Sequence, residues 1–213
     1  MSFINYHAHR GHVFGECWSH ASSNYMYVNI PKNASSWTKP NLKDWGWECF
    51  NYHTDNLDKI PLIVLRDPVD RWLSGIGEYM YLYHKQYFGK TDIDPMVFDL
   101  IFDKISLDDH TERQVYFIEE LDLDRAVFFK FGNDYRNQFS SFLESIGMNN
   151  QYYKYQPQHV SDLSPERKFW KSVFAEQIQN PAYLARIKQH FKQDYDLINS
   201  VKFFNAVPST FNT

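Results

Sequence analysis

Cysteine is nearly absent: Cys17 and Cys49 are the only two in 213 residues. One pair allows one bridge at most, which excludes a disulfide framework and a multi-cysteine zinc site. The expectation is two buried or half-buried thiols in a reducing compartment. No apolar run reaches the roughly 18 residues of a membrane-spanning helix. The opening residues also lack the basic-then-apolar order of a signal peptide, so the two absences predict a soluble, cytoplasmic protein. Neither sign of charge dominates: 22 Lys and Arg against 26 Asp and Glu give a net charge of -4. That balance excludes a general nucleic-acid surface, which needs a basic stripe, but a phosphorylated ligand requires only a local cluster. Glycine is scarce too, with 8 residues and no glycine-rich phosphate loop of the nucleotide-hydrolase kind.

What the chain has in excess is rings: 18 Phe, 15 Tyr and 6 Trp. Rings fill cores and line pockets for sugars and flat ligands, so the bias alone chooses neither. The length favours a single domain over 1–213, which at this size buries roughly 70% of its extended surface. No internal repeat or low-complexity segment is visible.

Two stretches organise the rest. Tyr25 to Pro40, YMYVNIPKNASSWTKP, and Pro61 to Gly75, PLIVLRDPVDRWLSG, each run from a β-branched or aromatic segment through a polar, Pro-containing turn into a helix-compatible segment. That is the sequence form of a parallel strand handing over to a helix. The first turn offers Lys32, Asn33, Ala34, Ser35 and Ser36 at a helix start, where unpaired N–H groups attract phosphate or sulfate. The second offers Arg66, Arg71 and Ser74, with Asp67 as helix cap and Pro68 at the first helical position. A ligand with two separated phosphates would satisfy both turns.

Elsewhere the pattern predicts a polar N-terminal arm over 1–24, whose His7, His9, His12 and His20 lack the carboxylate or cysteine partners of a metal site. Helices are expected at 91–106, 110–120, 135–146, from Ser164 and from Pro181, and a strand over 125–131 turning at Gly132-Asn133-Asp134. Residues 149–167 read as a loop able to cover a bound cofactor, and 203–213 as a loose tail. Short βα alternation implies an α/β fold of the P-loop-like, three-layer kind: a central parallel sheet flanked by helices, with ligands at the carboxyl ends of its strands.

The PKNASSW and LRDPVDRWLSG pair resembles the two cofactor-binding motifs of the sulfotransferases that use 3'-phosphoadenosine 5'-phosphosulfate (PAPS), leaning toward the carbohydrate and heparan-type branch. The resemblance implies a transferase that moves a sulfuryl group from PAPS to a hydroxyl of a carbohydrate or small polyhydroxylated acceptor, without metal, and releases 3'-phosphoadenosine 5'-phosphate. It implies that Lys32 binds the 5'-phosphate and the bridging oxygen, with Asn33, Ala34, Ser35 and Ser36 completing the loop. It places Arg66 and Ser74 on the 3'-phosphate and Trp37 where a ring stacks on adenine, although a core role for Trp37 stays open. Arg71 is a weaker candidate, able to fix the helix through Asp67 or Asp70.

For the base that takes the acceptor proton, the resemblance favours His53, between the motifs. His110, in an H-x-x-x-Q element with Gln114, and the carboxylates Glu48, Asp55 and Glu78 stay open beside it. Two departures stand out. Ala34 replaces a family glycine, and the C-terminal basic loop has no clean counterpart, Arg167 and Lys168 being the nearest basic pair and Tyr153, Tyr155 and Gln156 candidates for the adenine side. Two other classes remain: a P-loop-like small-molecule kinase, and a non-catalytic protein that binds nucleotide or sulfated glycan.

Overall fold

The computed structural model describes residues 15–51, 56–90, 93–148 and 164–205. Among these residues, five strands form one sheet: β1 (Cys17–Ser19), β2 (Tyr25–Val28), β3 (Glu48–Phe50), β4 (Ile60–Leu65) and β5 (Val127–Lys130), in the spatial order β3-β1-β2-β4-β5. β2, β4 and β5 run parallel, with Met26 opposite Pro61 and Ile63 opposite Phe128. β1 is antiparallel to both β2 and β3. The sheet is therefore mixed, parallel over three strands and antiparallel at one edge.

That edge takes Cys17–Ser19 of the expected arm into the sheet, residues 1–14 lying outside the described residues, and makes mixed the sheet expected to be parallel. β1 and β3 are three residues each, too short for a period-two pattern to stand out. Cys49 lies on outer strand β3 and is exposed, contrary to the expected burial, while Cys17 is buried; neither cysteine is in a disulfide.

Alternation along the parallel strands divides the core. Tyr27, Leu62, Val64 and Phe129 face α1 (Ser35–Asp44) and α4 (Tyr135–Ser145), where Trp37, Leu42, Phe139 and Leu143 meet them. Met26, Val28, Ile63, Leu65 and Phe128 face the other way, onto Phe117, Ile118 and Leu121 and onto Leu197 and Ile198 of α7 (Lys192–Ser200). A third cluster joins α2 (Pro68–Tyr83), α3 (Pro95–Lys104), α5 (Pro165–Gln177) and α6 (Pro181–His190) around the fully buried Trp72 and Trp170. Rings of that size contribute about 1.5–3 kcal/mol or more each on burial, so much of the aromatic excess is structural.

Four helices start the same way, with an Asx or Ser cap followed by proline. Asp67, Asp94, Ser164 and Asn180 each accept a backbone N–H of the first turn. The residue before proline is held extended and the cap replaces a missing partner. α1 differs: it begins at Ala34, in the left-handed region, with no side-chain cap.

The helix expected over 110–120 is replaced by a tight turn and a 3-10 segment, Gln114–Phe117. Asp108 Oδ1 takes the N–H groups of His110 and Thr111, both at 3.1 Å. Asp194 takes those of Gln114 and Val115, each at 3.0 Å. Side chains that capture backbone donors in this way compete with helix formation. Phe203, expected at the start of a loose tail, bridges to Phe128 on the edge strand β5; residues 206–213, and most of the expected covering loop, lie outside the described residues. Among the described residues, no helix is long and apolar enough to cross a membrane.

Candidate functional site

A cavity of about 650 Å³ opens where β2, β4 and β5 end. Each strand delivers its next residues to it: Lys32 to Trp37 without Asn33 after β2, Arg66 after β4, and Phe131 to Asn133 after β5. Ser74 and Glu78 from α2, His110, and Arg167 and Lys171 from α5 also line it, with Lys39 from α1 and Tyr135 and Arg136 from α4. The carboxyl edge of a parallel sheet is where such folds place ligands.

The loop after β2 is strained. Lys32 and Ala34 have φ of 68° and 67°, a conformation that costs a non-glycine residue about 1–3 kcal/mol and persists only when its surroundings impose it. Several bonds impose it here. The Asn33 amide donates to the Val64 carbonyl at 2.7 Å and to Gln114 Oε1 at 2.6 Å. The Ile30 carbonyl accepts from Asn33 N at 3.1 Å and from the Ser35 hydroxyl at 3.2 Å. Arg66 donates to the Lys32 carbonyl at 3.0 Å, and Arg71 to the Pro31 carbonyl at 2.9 Å. Left-handed residues just before a helix start turn successive N–H groups toward one side, a backbone arrangement that binds anions.

Among the described residues, six cationic side chains line the cavity, Lys32, Lys39, Arg66, Arg136, Arg167 and Lys171, against one carboxylate, Glu78. Glu78 accepts from Lys32 Nζ at 2.9 Å and from Arg167 at 2.7 Å. Burial works to raise the Glu78 carboxyl, but the two cations outweigh it and hold its pKa at about 2. Burial lowers the Lys32 amine, with Glu78 opposing. Arg66 lies over the Phe131 ring at 4.6 Å, which limits its freedom at the end of β4.

His110 is buried against carboxylates, its Nδ1 2.9 Å from Asp108 Oδ2 and 3.2 Å from Asp109 Oδ1. Burial would lower its pKa, yet the two aspartates prevail and raise it above 6.5. With Nδ1 committed to carboxylates, the neutral ring carries its proton there and Nε2 is the basic nitrogen. These three groups place ligand atoms within 4.8 Å of one another, but Asp108 is already used as the cap of the His110–Thr111 turn.

Of the residues singled out from sequence, Lys32, Ala34, Ser35, Ser36, Trp37, Arg66, Ser74 and His110 line this one cavity. Asn33 does not: its side chain is buried and turned inward, so it fastens the loop instead of meeting a ligand. Trp37 is chiefly a core ring, edge-on to Tyr135 and Phe139 at 5.8 and 6.4 Å, and only its margin reaches the cavity. Arg71 pairs with neither Asp67 nor Asp70; it is buried and donates to the backbone carbonyls of Pro31, Asp109 and Glu112. Glu48 is exposed on β3 and outside the cavity wall. Lys168 also lies away from it, whereas Arg167 faces it. His53, Asp55, Tyr153, Tyr155 and Gln156 lie outside the described residues.

Sequence reasoning missed Lys39, Arg136, Lys171 and the turn after β5 as cavity residues. The turn had a usable signal, because Gly132-Asn133-Asp134 follows an expected parallel strand and such strand ends converge. In the sequence Gln114 stands out only as the last residue of the H-x-x-x-Q element. In the fold it ties the two loops together, accepting from Asn33 and from Arg66 N at 3.0 Å and donating to the Arg66 carbonyl at 2.9 Å. In comparisons with family models, curated proteins and solved structures, none matches the chain.

Proposed function

We propose that this chain is a sulfotransferase that moves the sulfuryl group of PAPS to a hydroxyl of a carbohydrate or small polyhydroxylated acceptor. The observation that carries the reading is the meeting of Lys32 and its loop with Arg66 and Ser74 on one cavity of about 650 Å³, within the usual span of about 300–1,000 Å³ for a small-molecule site. The motifs are 34 residues apart in sequence and fall at the ends of adjacent parallel strands, β2 and β4, so one nucleotide can touch both.

In this reading Lys32 meets the charge that develops on the leaving 5'-phosphate as the sulfur–oxygen bond breaks, and the loop N–H groups fix that phosphate. Arg66 and Ser74 hold the 3'-phosphate. His110 Nε2 accepts the acceptor's hydroxyl proton as the new oxygen–sulfur bond forms, and Asp108 and Asp109 stabilise the resulting imidazolium. Glu78 suits the base role less, because a carboxylate with a pKa of about 2 has little proton affinity near neutrality.

Calorimetric titration separates the reading from its rivals. The desulfated product, 3'-phosphoadenosine 5'-phosphate, is expected to bind without magnesium and much more tightly than ATP. Tight ATP binding that depends on magnesium would instead indicate a kinase, and product binding without any transfer to hydroxyl acceptors a non-catalytic binder.

The base assignment makes its own pH signature. Only neutral His110 accepts a proton, and its two aspartates raise its pKa above the ordinary imidazole range. kcat/KM is therefore expected to be level at high pH and to fall about tenfold per pH unit below that pKa. In His110→Ala that limb should disappear along with about 10²- to 10⁴-fold of the rate. An unchanged acid limb in His110→Ala would transfer the role to another group, His53 first.

A further inference from the structure

We propose that Arg71 is a positioning residue that fixes His110 relative to Lys32; this rests on the reading of those two as the reacting pair. Arg71 is 1% exposed, and among the described residues its side chain donates to backbone carbonyls of two other segments. Nε donates to Pro31, the residue before Lys32, at 2.9 Å. One terminal nitrogen donates to Asp109, the residue before His110, at 3.2 Å, and the other to Glu112, two residues after it. A single planar group thus holds the loop that presents the cation and the turn that presents the base.

The guanidinium is suited to this task. It is rigid, it projects donors in several directions within one plane, and it stays protonated when buried. Burial lowers its pKa only to about 10, so it is charged throughout the neutral range. Phe117 covers it, 5.7 Å from ring centre to guanidinium carbon. Gly75, one helical turn further along α2, abuts the His110 carbonyl directly, so α2 contacts the turn at two successive levels. Transfer in line needs the acceptor oxygen, the sulfur and the leaving oxygen aligned, and a displacement of about 1 Å between base and cation costs about 100-fold in rate.

Arg71→Lys keeps the charge but replaces three directed donors with one compact ammonium. Its kcat is expected to fall about 100-fold while KM for PAPS stays within about threefold, since no ligand contact is lost. The second readout needs no turnover: the His110 ring titrated by NMR. Its surroundings are Asp108 and Asp109 beside it, Lys32 and Glu78 on the same cavity, Arg71 from α2 and Arg167 from α5. Because lysine preserves the charge at 71, a lowered midpoint reports a shift of the ring away from the aspartates that raise it. Unchanged kcat and midpoint would overturn the proposal, as would a fold so weakened that product binding and rate are lost together. If the wild type shows no transfer while the midpoint still moves in Arg71→Lys, the functional reading falls and the positioning role stands.

Discussion

Lys32→Ala is expected to lower kcat by about 10²- to 10³-fold, the scale on which one preorganised group facing developing charge acts. The same change should weaken binding of 3'-phosphoadenosine 5'-phosphate, because in the proposed reading a half-buried cation is lost from its 5' end. Folding should be little affected. The left-handed backbone at 32 is imposed by bonds from Asn33, Arg66 and Arg71 that do not involve the amine. Glu78 keeps Arg167 as a partner at 2.7 Å, so no carboxylate is stranded. Steady-state kinetics, product titration and thermal unfolding on the same preparation check these outcomes. A variant with wild-type kcat would remove Lys32 from the chemistry.

Gly75→Ala is expected to be nearly as damaging, through geometry instead of charge. A Cβ at 75 would stand 2.1 Å from the His110 carbonyl oxygen and 2.7 Å from its carbon. Those are backbone atoms, so no side-chain rotation relieves the contact, and either α2 or the His110 turn must move. Forcing one extra methyl into a packed site costs about 1–3 kcal/mol. The shift in the turn should add a loss of about 100-fold in kcat. Thermal melts and a kcat-against-KM comparison would register both. An alanine variant with native stability and native rate would show that the turn can yield without consequence, and would weaken the placement of the base on it.

The two strand–turn–helix stretches were legible because their signals are local. β-branched runs, an X-Pro break and an Asx cap act within four or five residues, and the structure has α1 from Ser35 and α2 from Pro68 where those signals lie. Their convergence on one cavity follows from parallel neighbours sharing an edge. The segment from His110 was misread as helix because its alternative lies outside it in the chain: Asp194 is 80 residues from Gln114 and takes two of its would-be helical donors. Asn33 and Arg71 were misassigned for a related reason. A polar residue in a phosphate-like loop looks like a ligand contact until tertiary structure shows it turned inward. β1 and β3 carried too few residues to announce themselves.

Glu78 bears on selectivity. Its carboxylate sits between Lys32 and Arg167 at 2.9 and 2.7 Å, tethered to the same scaffold and so present at a high effective concentration. Any anion that engages those two cations does so in competition with this resident one. Chloride or another singly charged ion brings too little to dislodge it, whereas a molecule bearing several phosphate or sulfate oxygens, anchored also at Arg66, has other contacts to draw on. The carboxylate thereby acts as a threshold, discouraging the abundant small anions of any aqueous compartment from occupying a pocket so rich in positive charge.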